Sequence, residues 1–216
     1  MPLLMIDLDN TLVDRDAAFQ KAASAFLAAH ALPGTDLDWL MTCDASGYTP
    51  REDVARAVVE RYGLPAGRVR QFLDSGAVEH VTLPAETREA LTGAREAGWS
   101  CVIVTNGRTA KQELKIRRTG LDRLVHAWVV SEAAGHKKPA PEIFHLAASA
   151  AGTGLDGAWM IGDSAHADVR GALGVGARSV WVSAGRTWAE TTYRPTLIAR
   201  DTPSAITLAT SGGPNY

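Results

Sequence analysis

From about residue 82 onwards, the chain alternates between helical patterns and short runs of apolar residues. Helices are predicted over residues 85–97, 108–119, 141–151 and 167–173, and the apolar runs that follow them in turn cover 99–104, 127–130, 158–161 and 179–182. Continuously apolar strands are typical of a sheet that is covered on both faces. Strands that alternate with helices of this length form parallel sheets through right-handed crossovers. The pattern therefore predicts an α/β fold built on a doubly wound parallel sheet.

The N-terminal third has a different pattern. Residues 3–8 form a short apolar run that is broken by acids and predicts a first strand. From residue 14 to about residue 80, apolar residues recur at helical spacing and no strand is convincing. The clearest helix start has Thr49 as N-cap, Pro50 at the first helical position and Glu52 closing a capping box, and Gly63 ends this helix. We therefore predict a small all-helical cap domain, residues 14–81, inserted after the first strand of a core domain made of residues 1–13 and 82–216.

Charge and cysteine content restrict the environment and the partners. The formal net charge of −2 argues against a nucleic acid or an anionic membrane as the main partner, because either would favour a basic face. A mild basic cluster is interpreted as a solvated helix face: Lys111, Lys115, Arg117 and Arg118. Cys43 and Cys101 have no metal-ligand or redox spacing, which fits a reducing cytoplasm. The N-terminal run is too short for a signal peptide or a membrane span, so we predict a soluble cytoplasmic protein.

The first predicted strand ends in two acids, and ligands of such sheets bind outside the carboxyl ends of the strands. Asp7 and Asp9 alternate along the chain, which places their carboxylates on one side, about 7 Å apart if the chain is extended. Carboxylates so placed repel each other unless a cation lies between them or one holds a proton. One acid would then suit a nucleophile and the other a general acid. A pair of solvated strand-end acids is an equally open interpretation of these residues alone.

Two later motifs have features of an anion site. The run 99–104 ends in Thr105-Asn106-Gly107 and opens a helix, where a hydroxyl and backbone amides suit an anion, although simple capping is the commoner role. Further on, Lys137 and Lys138 precede Pro139 at the start of another helix. Proline restricts the residue before it, so that a lysine held there can point into a site, although a surface lysine is more common. Each motif is a candidate that needs the others for support.

The run 158–161 leads to Asp163 and, at the start of the next helix, to Asp168. Acids in these places suit a hard cation with oxygen ligands, although Asp168 also fits a helix-start acid favoured by the helix dipole. His166 lies between them and is interpreted as a solvated loop residue, because magnesium disfavours imidazole. Four polar motifs therefore occur in order, each at a strand end of one predicted sheet, and together they predict a single site.

These four motifs resemble those of the haloacid dehalogenase superfamily, and the resemblance extends from Asp7 to Asp168. It implies a Rossmann-like core with an α-helical cap inserted after the first motif. Asp7-Leu8-Asp9-Asn10-Thr11-Leu12 resembles the first motif, whose first acid attacks phosphorus and whose second acid is the general acid and base. Asp163 and Asp168 resemble the acids of the fourth motif, which hold magnesium.

The remaining motifs resemble the parts of the same family that bind the phosphoryl group. Thr105, with Asn106 and Gly107 beside it, resembles the hydroxyl motif. Lys138, directly before a proline, resembles the family lysine, and Lys137 is an adjacent competitor. The resemblance thus implies a Mg²⁺-dependent phosphomonoester hydrolase that acts on a small phosphorylated metabolite through an aspartyl phosphate on Asp7.

In this reading, Mg²⁺ is held by Asp7, the main-chain carbonyl of Asp9 and Asp163, and Asp168 orients that shell. The dehalogenases of the family lack the second acid of the first motif, so the presence of Asp9 favours phosphoryl transfer. A phosphomutase shares these catalytic residues and remains an alternative. A non-catalytic phosphate- or partner-binding protein is disfavoured because no motif is damaged. The motifs leave a monomer and a small homo-oligomer equally open.

The sequence leaves open which residues of the cap contact the substrate. Candidates near the mouth of a site are Arg15, Trp39, Asp44, Tyr48 and Arg51. Ordinary packing or solvation is the commoner role for each of them. Trp39 is the one tryptophan for which we consider substrate contact, since the others with strand positions fit the core or the sheet edge.

Overall fold

The computed structural model describes residues 1–211 and places six strands in one sheet. They are β1 (Leu3–Ile6), β2 (Ser100–Thr105), β3 (Ala127–Val130), β4 (Trp159–Gly162), β5 (Arg178–Val182) and β6 (Leu197–Ala199). The order across the sheet is β3-β2-β1-β4-β5-β6, and every pairing is parallel. The predicted α/β fold with a doubly wound parallel sheet is therefore confirmed.

Strand β1 lies in the middle of the sheet, as its uniformly apolar sequence requires. Each of its four residues is at most 1% exposed. Ile6 pairs with Ile103 of β2 on one side and with Ile161 of β4 on the other. The chain runs outward from β1 through β2 and β3 and then returns to the opposite side of β1 at β4. Ligands of open parallel sheets bind where the strand order reverses in this way, so the ends of β1, β2 and β4 define the place for a site.

The helices belong to two compact units of the chain. One unit, here called the sheet unit, is Met1–Val13 together with the chain from Leu83 onwards. The other is Asp14–Thr82, here called the helical unit. The helical unit contains α1 (Arg15–Ala29), α2 (Leu37–Asp44), α3 (Arg51–Tyr62) and α4 (Ala66–His80). The sheet unit contains α5 (Ala85–Glu96), α6 (Thr109–Thr119), α7 (Ser131–Ala134), α8 (Pro141–Ala150), α9 (Gly171–Gly174) and α10 (Thr202–Ser211). Every helix within residues 1–211 is too short or too polar to cross a bilayer.

The start of α3 differs from the predicted capping box. The helix begins at Arg51, and its N-cap is Pro50 with an extended ψ of 136°, without a side-chain capping bond. The prediction of Thr49 as the N-cap is therefore wrong by one position, because Pro50 stays outside the helix. The predicted end at Gly63 is confirmed, since this residue has a left-handed φ of 64° that glycine adopts without steric cost.

Two regions beyond β4 also differ from the predicted elements. In place of one helix over 167–173, residues Ala165–Arg170 form a π-helical turn and α9 covers only the next four residues. The sequence pattern predicted no element after residue 182, yet β6 and α10 follow, and α10 packs against α5 and β5. A three-residue strand is too short for its periodicity to be recognised, and only its pairing with β5 defines it.

Candidate active site

Asp7 directly follows β1 and is buried at the centre of the candidate site. Its backbone N–H donates to the Ile161 carbonyl across 2.9 Å, so the β1–β4 pairing fixes its main chain. Lys138 Nζ lies 2.6 Å from Asp7 Oδ1 and 2.7 Å from Asp168 Oδ1. Lys138 is itself buried, and its ammonium group therefore bridges two acids that come from distant parts of the chain.

Asp163 completes a cluster of three acids with Asp7 and Asp168. One carboxylate oxygen of each lies within 4.8 Å of the others, and all three residues are buried. Asp163 directly follows β4, so it lies beside the end of β1. Asp168 is held at both oxygens, by Lys138 at 2.7 Å and by the Ser164 N–H at 3.0 Å. The sheet thus brings together three of the predicted site acids.

The acid cluster contains more negative charge than its lysine neutralises. Burial raises the pKa of Asp7 to about 8, with Lys138 acting in the opposite direction and Asp168 in the same one. Burial likewise raises the pKa of Asp163 to about 7, and the Asp168 carboxylate adds to this effect. Burial alone would lower the pKa of Lys138, but Asp168 and Asp7 together raise it above its usual range. The cluster is therefore short of positive charge.

The donor set of this cluster fits a hard divalent cation. Carboxylate oxygens are the ligands that such cations prefer, and a cation between close carboxylates removes their repulsion. Arg186 Nη2 lies 3.3 Å from Asp163 Oδ2, but half of the arginine side chain is exposed and the same nitrogen also donates to the Val182 carbonyl. Because solvent screens such a guanidinium, it leaves the buried charge deficit in place. Asp7, Asp163 and Asp168 are therefore the residues that would hold a metal.

Asn106, at the end of β2, fixes the main chain of Lys138. Its Nδ2 donates to the Lys138 carbonyl at 3.0 Å, and the Lys138 N–H donates to Asn106 Oδ1 at 2.8 Å. This reciprocal pair ties the segment that carries the lysine to the sheet. The neighbouring Lys137 is exposed, so the geometry favours Lys138 as the lysine of the site.

The backbone amides at the start of α6 are engaged by α7. The Gly107 N–H donates to Ser131 Oγ at 3.0 Å, and the Thr109 N–H donates to Glu132 Oε2 at 2.7 Å. The sequence predicted free amides here for an anion. Instead, these two amides have side-chain acceptors, and they would have to exchange partners before binding a phosphoryl group.

Asp9 lies in a closed turn instead of an extended strand. β1 ends at Ile6, after which the Val13 N–H donates to the Leu8 carbonyl at 3.0 Å and the Asn10 N–H donates to the Val13 carbonyl at 2.8 Å. The turn closes over residues 8–13 and contains Asp9, whereas the placement of Asp7 and Asp9 on one side of the chain stays a prediction.

Helix α6 contacts the Asp9 carboxylate through two side chains. Lys115 Nζ lies 2.7 Å from both Oδ1 and Oδ2, and Gln112 Nε2 donates to Oδ2 at 2.9 Å. Lys115 is only 6% exposed, so its interpretation as part of a solvated helix face is wrong. A spacing of three residues places Gln112 and Lys115 on the same helix face, a signal that the sequence contained but that their polarity obscured. The two acids of the first motif thus contact different lysines.

Most of the substrate-contact candidates in the helical unit are used for packing. Arg15 Nη2 donates to Asp44 Oδ1 at 2.6 Å, and both residues are almost fully buried. Trp39 is half-buried and meets Tyr62 edge to face, with ring centroids 5.8 Å apart. Tyr48, by contrast, is 67% exposed. The buried pair therefore stabilises the helical unit and does not present free polar groups to a ligand.

Comparison with known proteins finds sequences similar to this chain. The sequence model of a family described as haloacid dehalogenase-like hydrolase matches residues 4–182. A glyceraldehyde 3-phosphate phosphatase from Pyrococcus abyssi is 30% identical over 85% of this chain and 82% of its own length. A phosphoserine phosphatase from Thermus thermophilus is 34% identical over 62% of this chain and 55% of its own length.

Solved structures with low sequence identity share the same fold. A magnesium-bound putative haloacid dehalogenase-type hydrolase from Bacillus subtilis has a TM-score of 0.74 at 22% identity, covering 96% of this chain and 98% of its own. A putative beta-phosphoglucomutase from Thermotoga maritima has a TM-score of 0.78 at 14% identity, covering 98% of this chain and 100% of its own. At such identities the likeness concerns the fold alone.

Proposed function

The chain belongs to the haloacid dehalogenase-like hydrolase family, and we propose that it is a Mg²⁺-dependent phosphomonoester hydrolase acting on a small phosphorylated metabolite. The observation that carries this proposal is the buried cluster of Asp7, Asp163 and Asp168 around Lys138. Two relatives that match more than half of the chain are named as a glyceraldehyde 3-phosphate phosphatase and a phosphoserine phosphatase, which supports the same substrate class.

Asp7 is the proposed nucleophile. Its carboxylate attacks phosphorus, the ester P–O bond breaks, and the phosphoryl group is held on Asp7 as an acyl phosphate. Lys138, 2.6 Å from the Asp7 carboxylate, offsets the negative charge that gathers there. Phosphoryl transfer depends mainly on positioning and on charge neutralisation, and a buried lysine that is clamped by Asn106 supplies both.

Asp9 is the proposed general acid and base. It gives a proton to the leaving oxygen in the first step. In the second step it accepts a proton from the water that attacks the phosphorus atom and releases phosphate from Asp7. The Thr105 hydroxyl and the amides of Asn106 and Gly107 are the proposed contacts of the phosphoryl oxygens. A magnesium ion bound by Asp7, Asp163, the Asp9 main-chain carbonyl and Asp168 would supply charge neutralisation for these oxygens.

Phosphate release tests the proposal directly. Wild type and Asp7→Asn are compared on a panel of phosphomonoesters, with Mg²⁺ and with a chelator, and thermal melts establish that both are folded. We expect Mg²⁺-dependent release from the wild type and only a trace from the variant. Release that persists in Asp7→Asn would refute the nucleophile assignment. A folded wild type that hydrolyses no ester on the panel would contradict the proposed hydrolase.

A further inference from the structure

We propose that Lys115 is a positioning residue for the proposed phosphoryl transfer, and that together with Gln112 it holds the Asp9 carboxyl group where it can protonate the leaving oxygen. This inference rests on the proposed function, because it concerns the acid and base of that reaction. Nothing in the charge pattern of the sequence separates Lys115 from the exposed basic residues of the same helix.

The contact between Lys115 and Asp9 fixes the orientation of the carboxyl group. One ammonium nitrogen lies 2.7 Å from each carboxylate oxygen, so rotation of the group about its last bond breaks one of the two contacts. The two side chains differ in their exposure to solvent. The Lys115 side chain is 8% exposed and the Asp9 side chain is 25% exposed. The Asp9 carboxyl group therefore stays partly exposed although both of its oxygens contact Lys115.

Gln112 links this acid to the predicted phosphoryl-binding hydroxyl. Its Nε2 donates to Asp9 Oδ2 at 2.9 Å and to Thr105 Oγ1 at 2.6 Å, and the residue is 2% exposed. An amide nitrogen has two N–H groups, which suffice for these two short contacts, and the Asn106 carbonyl lies further away, at 3.4 Å. A single side chain thus sets the relative position of Asp9 and Thr105.

Gly107 leaves the space that Gln112 needs. A Cβ atom at Gly107 would lie 3.0 Å from Gln112 Cγ and Cδ, and the glycine has a φ of +149° that other residues rarely adopt. Position 107 therefore combines a backbone requirement with a packing requirement. Both requirements allow Gln112 of α6 to reach Asp9 of the first motif.

Placement matters for a group that transfers a proton, since a misplacement of about 1 Å can cost on the order of 10²-fold in rate. Lys115 thus acts on the reaction through the placement of Asp9, without touching the substrate.

The test compares two esters that differ in their need for an acid. Protonation of the leaving oxygen matters for an alkyl ester such as glycerol 2-phosphate and much less for p-nitrophenyl phosphate, whose leaving group departs as a stable anion. The quantity measured is kcat/KM, which reports the transfer to Asp7 before water enters. The variant is Lys115→Met, the matched control on α6 is Lys111→Met, and Lys115→Gln is a second variant in case the first fails to fold.

We expect Lys115→Met to lose about 10²-fold in kcat/KM on the alkyl ester and less than about fivefold on the aryl ester. Lys115→Gln should show the same selectivity with a smaller loss, and Lys111→Met should match the wild type on both. Equal losses on the two esters, or no loss on either, would overturn the positioning role while the wild type stays active. An inactive wild type would instead overturn the proposed function, and this inference with it.

Discussion

Lys138 Nζ lies 2.6 Å from Asp7 Oδ1, although 131 residues separate the two along the chain. The same nitrogen lies 2.7 Å from Asp168 Oδ1, and all three residues are buried. Parallel strands place their carboxyl ends along one edge of a sheet, which is how such distant residues meet. The lysine therefore contributes both to the stability of the sheet unit and to the proposed chemistry.

Replacing Lys138 by Met should abolish phosphate release and destabilise the protein. The change leaves two buried carboxylates without their cation, and breaking a buried ion pair costs about 3–5 kcal/mol. Lys137→Met is the control, because that side chain is exposed and should leave both properties near wild type. Phosphate assays and urea unfolding measure the two effects. Loss of activity in Lys137→Met with an active Lys138→Met would reverse the lysine assignment.

Asp9→Asn should lower kcat by about 10²–10⁴-fold, the range of a general acid or base. It should also lower the free energy of unfolding, by about 1–3 kcal/mol, because the buried Lys115 loses its charged partner. The double variant Asp9→Asn/Lys115→Met should recover much of that stability and none of the activity. Unfolding curves of the two single variants and the double variant form a cycle that measures the pair. Additive stability losses would mean that the two side chains are not coupled.

Magnesium should stabilise the protein more at pH 8.5 than at pH 5.5. The pKa of Asp163 rises from 3.8 to about 7 and that of Asp7 to about 8. The folded, metal-free protein therefore keeps protons that the unfolded chain releases above about pH 4, and its stability falls as the pH rises towards 8. A bound cation removes this loss of stability at high pH. At low pH, protons on the carboxylates displace the cation.

Thermal melts with and without Mg²⁺ at the two pH values measure this difference. Asp163→Asn should show a smaller rise in Tm with Mg²⁺ than wild type at pH 8.5. A wild-type gain that is equal at both pH values would show that the acid cluster does not control metal binding.

Gly162→Ala should impair both folding and activity. A Cβ atom at this position would overlap the Asp168 carboxylate, which is 1% exposed and held by Lys138 and Ser164. Gly93→Ala is the control, because its Cβ would meet open space within α5, where alanine is favoured by up to about 1 kcal/mol. We expect a lower Tm and little phosphate release for the first variant, and an equal or higher Tm for the second. A fully active Gly162→Ala would show that the position of Asp168 is not critical.

The sequence by itself determined the fold class and predicted where a site would lie. Continuously apolar runs such as 99–104 are typical of strands in a sheet that helices cover on both faces. The alternation of such runs with helical patterns was therefore sufficient to predict the parallel sheet. The rule that ligands bind at strand ends then selected Asp7, Thr105 and Asp163, because each directly ends or follows an apolar run. These predictions depend on periodicity and on position along the chain, which are local properties.

Only the tertiary structure decided which charged groups meet. Lys115 and Arg117 look alike in the sequence, yet Lys115 is buried against Asp9 and Arg117 pairs with Glu113 on the exposed face. Asp9 lies in the turn after β1, and its carboxylate contacts Gln112 and Lys115 of α6, which local alternation did not predict. The physical reason is that the free energy of a charge depends on burial and on partners remote in the chain, so composition and spacing alone leave it undetermined.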